Sequence, residues 1–270
     1  MNREMQRATS RQNPRLKEAH RLVTSARDRR KAGKCVLEGE HLVAVYCERH
    51  GPPETILVTD EALVRPTTRA LAEHFAERTL VIPAKLLAEL AVLPADVGML
   101  AVVPVPRPVA GAAADFCLLV DDVQDPGNVG SMLRSAAAAG VAQVMLGKHC
   151  AFAWSPKVLR AGQGAHFHLE IHEDVDLAAW ASAYRAVKGE VVATIAAGGV
   201  DLYSVPLTGR VAIAVGNEGA GLSPELAGVA TRRVTIPMPG GMESLNAAAA
   251  AAVCLFECVR QRTQAGTSYY

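Results

Sequence analysis

Three short stretches in the second half of the chain carry the side chains best suited to chemistry. The first runs Asp122-Val-Gln-Asp-Pro-Gly-Asn128-Val-Gly130, with Arg134 four residues further on. The second is Gly216-Asn-Glu218-Gly-Ala-Gly221-Leu222. The third is Ile236-Pro-Met238-Pro-Gly-Gly-Met-Glu-Ser244-Leu245-Asn246. Each follows an apolar, strand-like run and leads into a helical one. Glycines there let backbone approach a ligand closely, and ligands of open α/β sheets bind at the carboxyl ends of strands. Three such loops together suit an adenosine-type ligand. Arg134 adds a planar cation able to hold a phosphate or direct an N–H at an oxygen.

Other chemistries are less well served. Gly216-x-x-Gly219-x-Gly221 is not the dinucleotide fingerprint and follows a late strand of its domain, not the first. There is no P-loop and no G-x-S-x-G elbow. His166, His168 and His172 cluster in sequence, the first two expected on one strand face, but no carboxylate or Cys completes a metal spacing, so no metal is expected. The six cysteines (35, 47, 117, 150, 254, 258) form no C-x-x-C pair and read as reduced thiols of a cytoplasmic protein. The first residues lack the apolar core of a signal peptide, and no apolar run is long enough to span a membrane.

The elements that must position these loops alternate strand and helix. In the first hundred residues, Asn13-Pro14 opens a helix expected to run to about Ala32, before Gly33. Short strands at 35–37, 56–58, 80–82 and 99–105 alternate with helices at 40–49, 67–78 and 84–92. The Pro/Ala/Gly-rich stretch 104–115 marks a boundary. This predicts a domain over 1–105, a linker at 106–115 and a second domain over 116–270. Strands of the second domain are expected at 116–122, 142–146, 167–171, 191–196, 211–215 and 233–236. They are nearly continuous apolar runs, as parallel strands covered on both faces should be. Helices are expected at 129–139, 155–161, 176–188, 224–229 and from about Ser244 to Gln264.

Charge is uneven. Residues 1–34 hold eight Arg and three Lys against Glu4, Glu18 and Asp28, a net +8, while the whole chain is only +1. A basic arm on an acidic body points to a polyanion partner.

Taken together, the loops resemble the SpoU (TrmH-like) family of the SPOUT superfamily, S-adenosylmethionine-dependent RNA ribose 2′-O-methyltransferases. Asn128-x-Gly130-x-x-x-Arg134-x-Ala136, Gly216-x-Glu218-x-x-Gly221-Leu222 and Ile236-Pro-Met238-x-Gly240-x-x-Glu243-Ser244-Leu245-Asn246 match its three motifs in order. Asn13-Pro-Arg-Leu-Lys17 and Val36-Leu-Glu-Gly-Glu-His-Leu-Val43 are similar to the RNA-substrate-binding domain common in that family. One position departs. Many relatives carry a second Ser after the third motif, where Ala248 stands here, so no hydroxyl is required at that place.

The resemblance implies an α/β fold: a C-terminal trefoil-knotted SPOUT domain with a parallel sheet, preceded by a small α/β RNA-substrate-binding domain. It implies S-adenosylmethionine held at Gly216, Ile236 and Leu245, with Thr194, Gly221 and Met238 beside them. It gives Arg134 the central catalytic place, with Asn128 positioning it or the ribose. Glu218 would pair a cation or hold its loop, and Ser244 and Asn246 would close the pocket. It implies a cytoplasmic homodimer acting on RNA, with 23S ribosomal RNA favoured. A tRNA methyltransferase and a non-catalytic RNA-binding relative are the alternatives; retained Arg134, Glu218 and Asn246 speak against the second.

Overall fold

A computed structural model of the chain describes residues 5–90, 98–108 and 113–267. Part of the expected linker, the end of the expected helix 84–92, and Arg3 and Glu4 of the basic arm lie outside these residues. The chain divides into two compact units. One comprises Met1–Pro106 with Trp154–Phe167, the other Arg107–Ala153 with His168–Tyr270.

The first unit is a mixed sheet of five strands, β1 (Gln6–Arg7), β2 (Lys34–Glu38), β3 (Thr55–Val58), β4 (Thr79–Val81) and β5 (Met99–Pro104), in the order β1-β4-β3-β5-β2. Its helices are α1 (Pro14–Thr24), α2 (Ala26–Ala32), α3 (Glu40–His50), α4 (Pro66–His74) and α5 (Ala84–Leu90). Leu16, Ala19 and Leu22 of α1 and Leu87 and Leu90 of α5 close over Val36, Leu57, Leu80 and Leu100.

One expectation changes here. The single helix expected over 14–32 is broken at Ser25, which turns extended (φ −121°, ψ 113°) and accepts from the Asp28 N–H as the cap of α2. Arg29 then folds back, donating to the Leu22 and Val23 carbonyls (2.5 and 3.0 Å) and satisfying the end of α1. Part of the basic arm is built into the sheet. Gln6 and Arg7 add a parallel edge strand to β4, and Arg7 forks onto Asp60 (2.7 and 2.9 Å).

Helix α7 (Pro156–Gly162) belongs to the first unit and packs on β2. Phe167 sets its ring edge-on to Tyr46 of α3, with centroids 5.3 Å apart. The expected strand 167–171 is accordingly displaced: Ala165–His168 forms a 3-10 turn, and the strand starts at Glu170. His166 and His168 therefore share a turn, not a strand face. His166 is buried beside Trp154, and His172 pairs with Glu170 at 3.3 Å. Among the described residues no three His, Cys, Asp or Glu side chains gather as a metal site.

The second unit is an all-parallel sheet of seven strands: β6 (Phe116–Val120), β7 (Gln143–Gly147), β8 (Glu170–Val175), β9 (Glu190–Thr194), β10 (Val200–Asp201), β11 (Val211–Val215) and β12 (Arg232–Thr235). Their order is β10-β12-β9-β11-β6-β7-β8. Side chains alternate between faces. Cys117, Leu119, Ala212, Ala214 and Val191 meet α8 (Leu177–Ala186) and α9 (Pro224–Val229) on one face. α10 (Ala247–Gln264) packs on β11 and against α6 (Pro126–Ala138). The chain moves outward from β6 through β7 to β8, then returns to put β11 on the other side of β6.

Candidate active site

All three loops leave the carboxyl ends of neighbouring or near-neighbouring strands. Asp125 caps α6 by accepting from the Asn128 N–H at 2.7 Å, with Pro126 at the first helical position. Neither Asn128 nor Ser244, both cap-type residues, caps a helix. α10 begins later than expected, at Ala247, because Asn246 caps it. Its Oδ1 accepts from the N–H groups of Ala248 and Ala249 at 3.0 and 3.2 Å. The Ala248 methyl is buried in that first turn.

The second loop closes on itself. Asn217 and Gly221 exchange two backbone hydrogen bonds (3.0 and 2.9 Å), and Asn217 Oδ1 accepts from Gly219 and Ala220. Gly221 takes φ +72°, and a Cβ at Gly216 would sit 2.3 Å from the Gly221 carbonyl carbon. The Gly216 hydrogen is thus demanded by the loop's own closure. Asn217 Nδ2 also donates to the Asp122 carbonyl (2.9 Å), and Asp121 accepts from both the N–H and hydroxyl of Ser223 (2.7 Å each). These contacts tie the second loop to the first.

A further chain joins all three. Asn246 Nδ2 donates to Asn128 Oδ1 at 2.9 Å, and Asn128 Nδ2 donates to the Glu218 carboxylate. The helix fixes the sense of this chain. α10 requires Oδ1 of Asn246 as acceptor, so its amide nitrogen must face Asn128, whose nitrogen must then face Glu218.

Beside this chain lies a cleft of about 460 Å³ lined by Thr194, Gly216, Glu218, Gly221, Ile236, Met238, Ser244 and Leu245, among others. The six residues expected around the cofactor therefore line one cavity, together with Glu218 and Ser244. Asn128 and Asn246 are not among its lining but bond one another at its Glu218 wall. Arg134 stands apart. It is exposed on α6, about 9 Å along the axis from Asn128 at 1.5 Å per residue, and no described residue bonds its side chain. Helical side chains generally lean toward the N-terminus, the end of α6 at which Asn128 and the loop stand.

The cleft suits an adenosine-containing ligand. Its volume lies in the range of small-molecule sites. Ile195, Val215, Leu222, Ile236 and Leu245 offer apolar walls for a purine, and glycine-rich backbone offers hydrogen-bonding groups without intervening side chains. Thr194, whose hydroxyl donates to the Ala214 carbonyl (2.9 Å), sits at the end of β9.

Some participants escape a reading of the motifs. Asp125-Pro126 repeats the Asx-Pro signal of Asn13-Pro14 and marks the α6 cap directly. Asp121 carries no such signal, because its partner Ser223 is 102 residues away, and the bond from Asn217 to the Asp122 carbonyl likewise spans 95 residues.

Comparison with known proteins accounts for both units. The family described as SpoU rRNA Methylase matches residues 115–256, and the MRM3-like substrate binding domain matches 13–101. The chain is 32% identical over 252 residues to the 23S rRNA (guanosine(2553)-2'-O)-methyltransferase RlmP of Bacillus subtilis, covering 93% of this chain and 98% of that protein. It is 31% identical over 275 residues to the 23S rRNA (uridine(2479)-2'-O)-methyltransferase of Streptomyces viridochromogenes, covering 97% and 94%. The crystal structure of the SpoU methyltransferase AviRb from that organism, in complex with AdoMet, superposes with a TM-score of 0.82 at 31% identity, covering 93% of this chain and 99% of that one. With its second and third motifs lining one cleft, its first bonded to both through Asn128, and both units matched, this chain belongs to the SpoU rRNA methylase family.

Proposed function

We propose that this protein transfers a methyl group from S-adenosylmethionine to a ribose 2′-hydroxyl of 23S ribosomal RNA. The observation that carries this reading is the Asn246–Asn128–Glu218 chain, which ends in the wall of the 460 Å³ cleft and binds three separate motifs into one site. The two relatives act on nucleosides with different bases, guanosine and uridine, and both at the 2′-oxygen, so what their targets share is the ribose. Both match across the first unit as well as the second, which favours ribosomal RNA.

When bound, the cofactor supplies an electrophilic methyl on a sulfonium. Thr194, Gly216, Gly221, Ile236, Met238 and Leu245 would hold it. A ribose hydroxyl is a weak nucleophile that must also give up its proton, to water, as it takes the methyl, so the protein's main contribution is to bring oxygen and methyl into line. Arg134, exposed and uncommitted, is suited to gripping the phosphate beside the target and turning an N–H toward the 2′-oxygen. Asn128 and Asn246 hold Glu218 in one orientation, and Ser244 closes the cleft. We place the reaction in the cytoplasm, in keeping with six cysteines that stand as free thiols. No helix among the described residues is long and apolar enough to cross a membrane. We also propose a homodimer and a knotted path for 236–246. Met242 and Leu245 of that segment and Phe256 of α10 are exposed apolar side chains that a second copy would cover.

Labelled S-adenosylmethionine incubated with the protein and ribosomal RNA from a deletion strain tests the reading. One ribose should become resistant to alkaline cleavage. Label that enters a base, or RNA that takes none, would overturn it, as would failure of S-adenosylhomocysteine to bind in calorimetry. Sedimentation tests the dimer separately.

A further inference from the structure

In the first unit, α1 and α5 leave a second cleft, of about 420 Å³, between them. Its floor is apolar: Leu16 and Leu90 are buried and Leu86 is half-buried. Its rim is cationic. Lys17, His20 and Arg21 come from one face of α1, and Arg11 from the segment before it. The acid on the rim, Glu89, is engaged by Arg11. Lys17 and Arg21 are exposed and make no side-chain hydrogen bond or ion pair with any described residue. Four apart on a helix, their side chains stand roughly 6 Å from each other.

An apolar floor inside a cationic rim asks for a partner that is anionic yet has a bare apolar face. A nucleic acid duplex answers only half of that, since its bases are paired and stacked and its outer surface is phosphate and sugar. An unpaired strand answers both. Successive phosphates can meet Lys17 and Arg21, and an unstacked base can enter the cleft, where Leu86 and Leu90 lie under it and the His20 ring can stack. We infer that this cleft takes one unpaired nucleotide of the RNA substrate and grips the phosphates beside it. The inference rests on the proposed function for the identity of the polymer. The two clefts share no residue.

Fluorescence anisotropy over a salt series, with a labelled oligouridylate, an abasic analogue of the same length and a blunt RNA duplex, tests this on the whole protein. The wild type should prefer the oligouridylate by at least about fivefold over both other probes. Lys17→Gln combined with Arg21→Gln removes two phosphate contacts and should flatten the single-strand salt slope by about 1.4. Leu86→Asn should erase the preference over the abasic strand while leaving the slope. S-Adenosylhomocysteine affinity should be unchanged in every variant, and a melting profile like that of the wild type reports that the first unit still folds. Equal binding of the abasic strand by the wild type, an unchanged slope in the double variant, or equal competition by polyglutamate would each overturn the cleft assignment. If the wild type methylates ribosomal RNA yet these results appear, only the cleft is wrong. A wild type that neither binds nor methylates RNA removes the functional reading as well.

Discussion

Asn246 donates to Asn128 across 2.9 Å while its own carbonyl oxygen caps α10, so one side chain sets both the start of a helix and the orientation of a neighbouring amide. Beyond it, Asn128 presents only N–H to Glu218. The carboxylate is thereby held from the far side of the site by a residue it does not touch.

Asn246→Asp separates these duties. A carboxylate still caps the helix, and caps of this type differ little in strength. Its second oxygen, however, now opposes the Asn128 carbonyl, and the amide should turn over and set its oxygen against Glu218. Methyl transfer should fall at least about tenfold, near 1.4 kcal/mol, with the melting temperature close to wild type. Asn246→Ala should lose activity and also about 1 kcal/mol of stability with the cap. A fully active Asn246→Asp would show that the chain does not orient Glu218.

Gly216→Ala should abolish cofactor binding. Its Cβ would lie 2.3 Å from the backbone carbonyl carbon and oxygen of Gly221, which cannot give way without opening the loop. Gly219→Ala is the control, since its Cβ would meet the Asn217 oxygen at an ordinary 3.5 Å. Calorimetry with S-adenosylhomocysteine should detect binding for the second variant and none for the first.

Arg134→Lys keeps charge but loses the planar fork. If that fork holds a phosphate while directing an N–H at the ribose, the rate should drop at least about tenfold, or roughly 1.4 kcal/mol of transition-state stabilisation. Cofactor affinity should not move, because Arg134 is absent from the cleft lining. Wild-type turnover by this variant would leave Arg134 as ordinary helix surface.

Glu257 on α10 is almost fully buried, with Arg260 forking onto both its oxygens (2.7 Å each) and Gln261 donating at 2.7 Å. Arg260 foremost, then Gln261, holds this carboxyl below its usual range. A depressed folded pKa means stability that is present above the unfolded value, about 4.3, and lost as pH falls through the folded one. Glu257→Gln should cost about 1–3 kcal/mol near neutrality. Denaturant melts should show that gap narrowing below about pH 4. A gap independent of pH would assign the loss to packing alone.

Much of the scaffold is legible locally. Phe116–Val120 and Val211–Val215 are wholly apolar because helices cover both faces of the sheet, and Ser223-Pro224 marks the start of α9. The misses have physical reasons. β1 and β10 are two residues each, held by backbone pairing that leaves no side-chain pattern. Ser25 breaks a helix through cap geometry that a basic run conceals. Phe167 looked like a strand residue of the second unit, while its ring packs in the first. The loops announced themselves through glycine. The bonds that organise them did not, for Asn128 meets Glu218 and Asn246 across 90 and 118 residues of sequence.

The segment Trp154–Phe167 has a consequence for synthesis. The first unit is not complete at Pro106, because α7 must still arrive to cover β2. Sixty-one residues, carrying β6, α6 and β7, leave the ribosome between Pro106 and Phe167, a wait of several seconds at about 5–20 residues per second. An N-terminal fragment ending at the first boundary is therefore a partial fold in which the edge strand β2 lacks its α7 cover, and a nascent chain must keep that strand from other partners until Phe167 emerges.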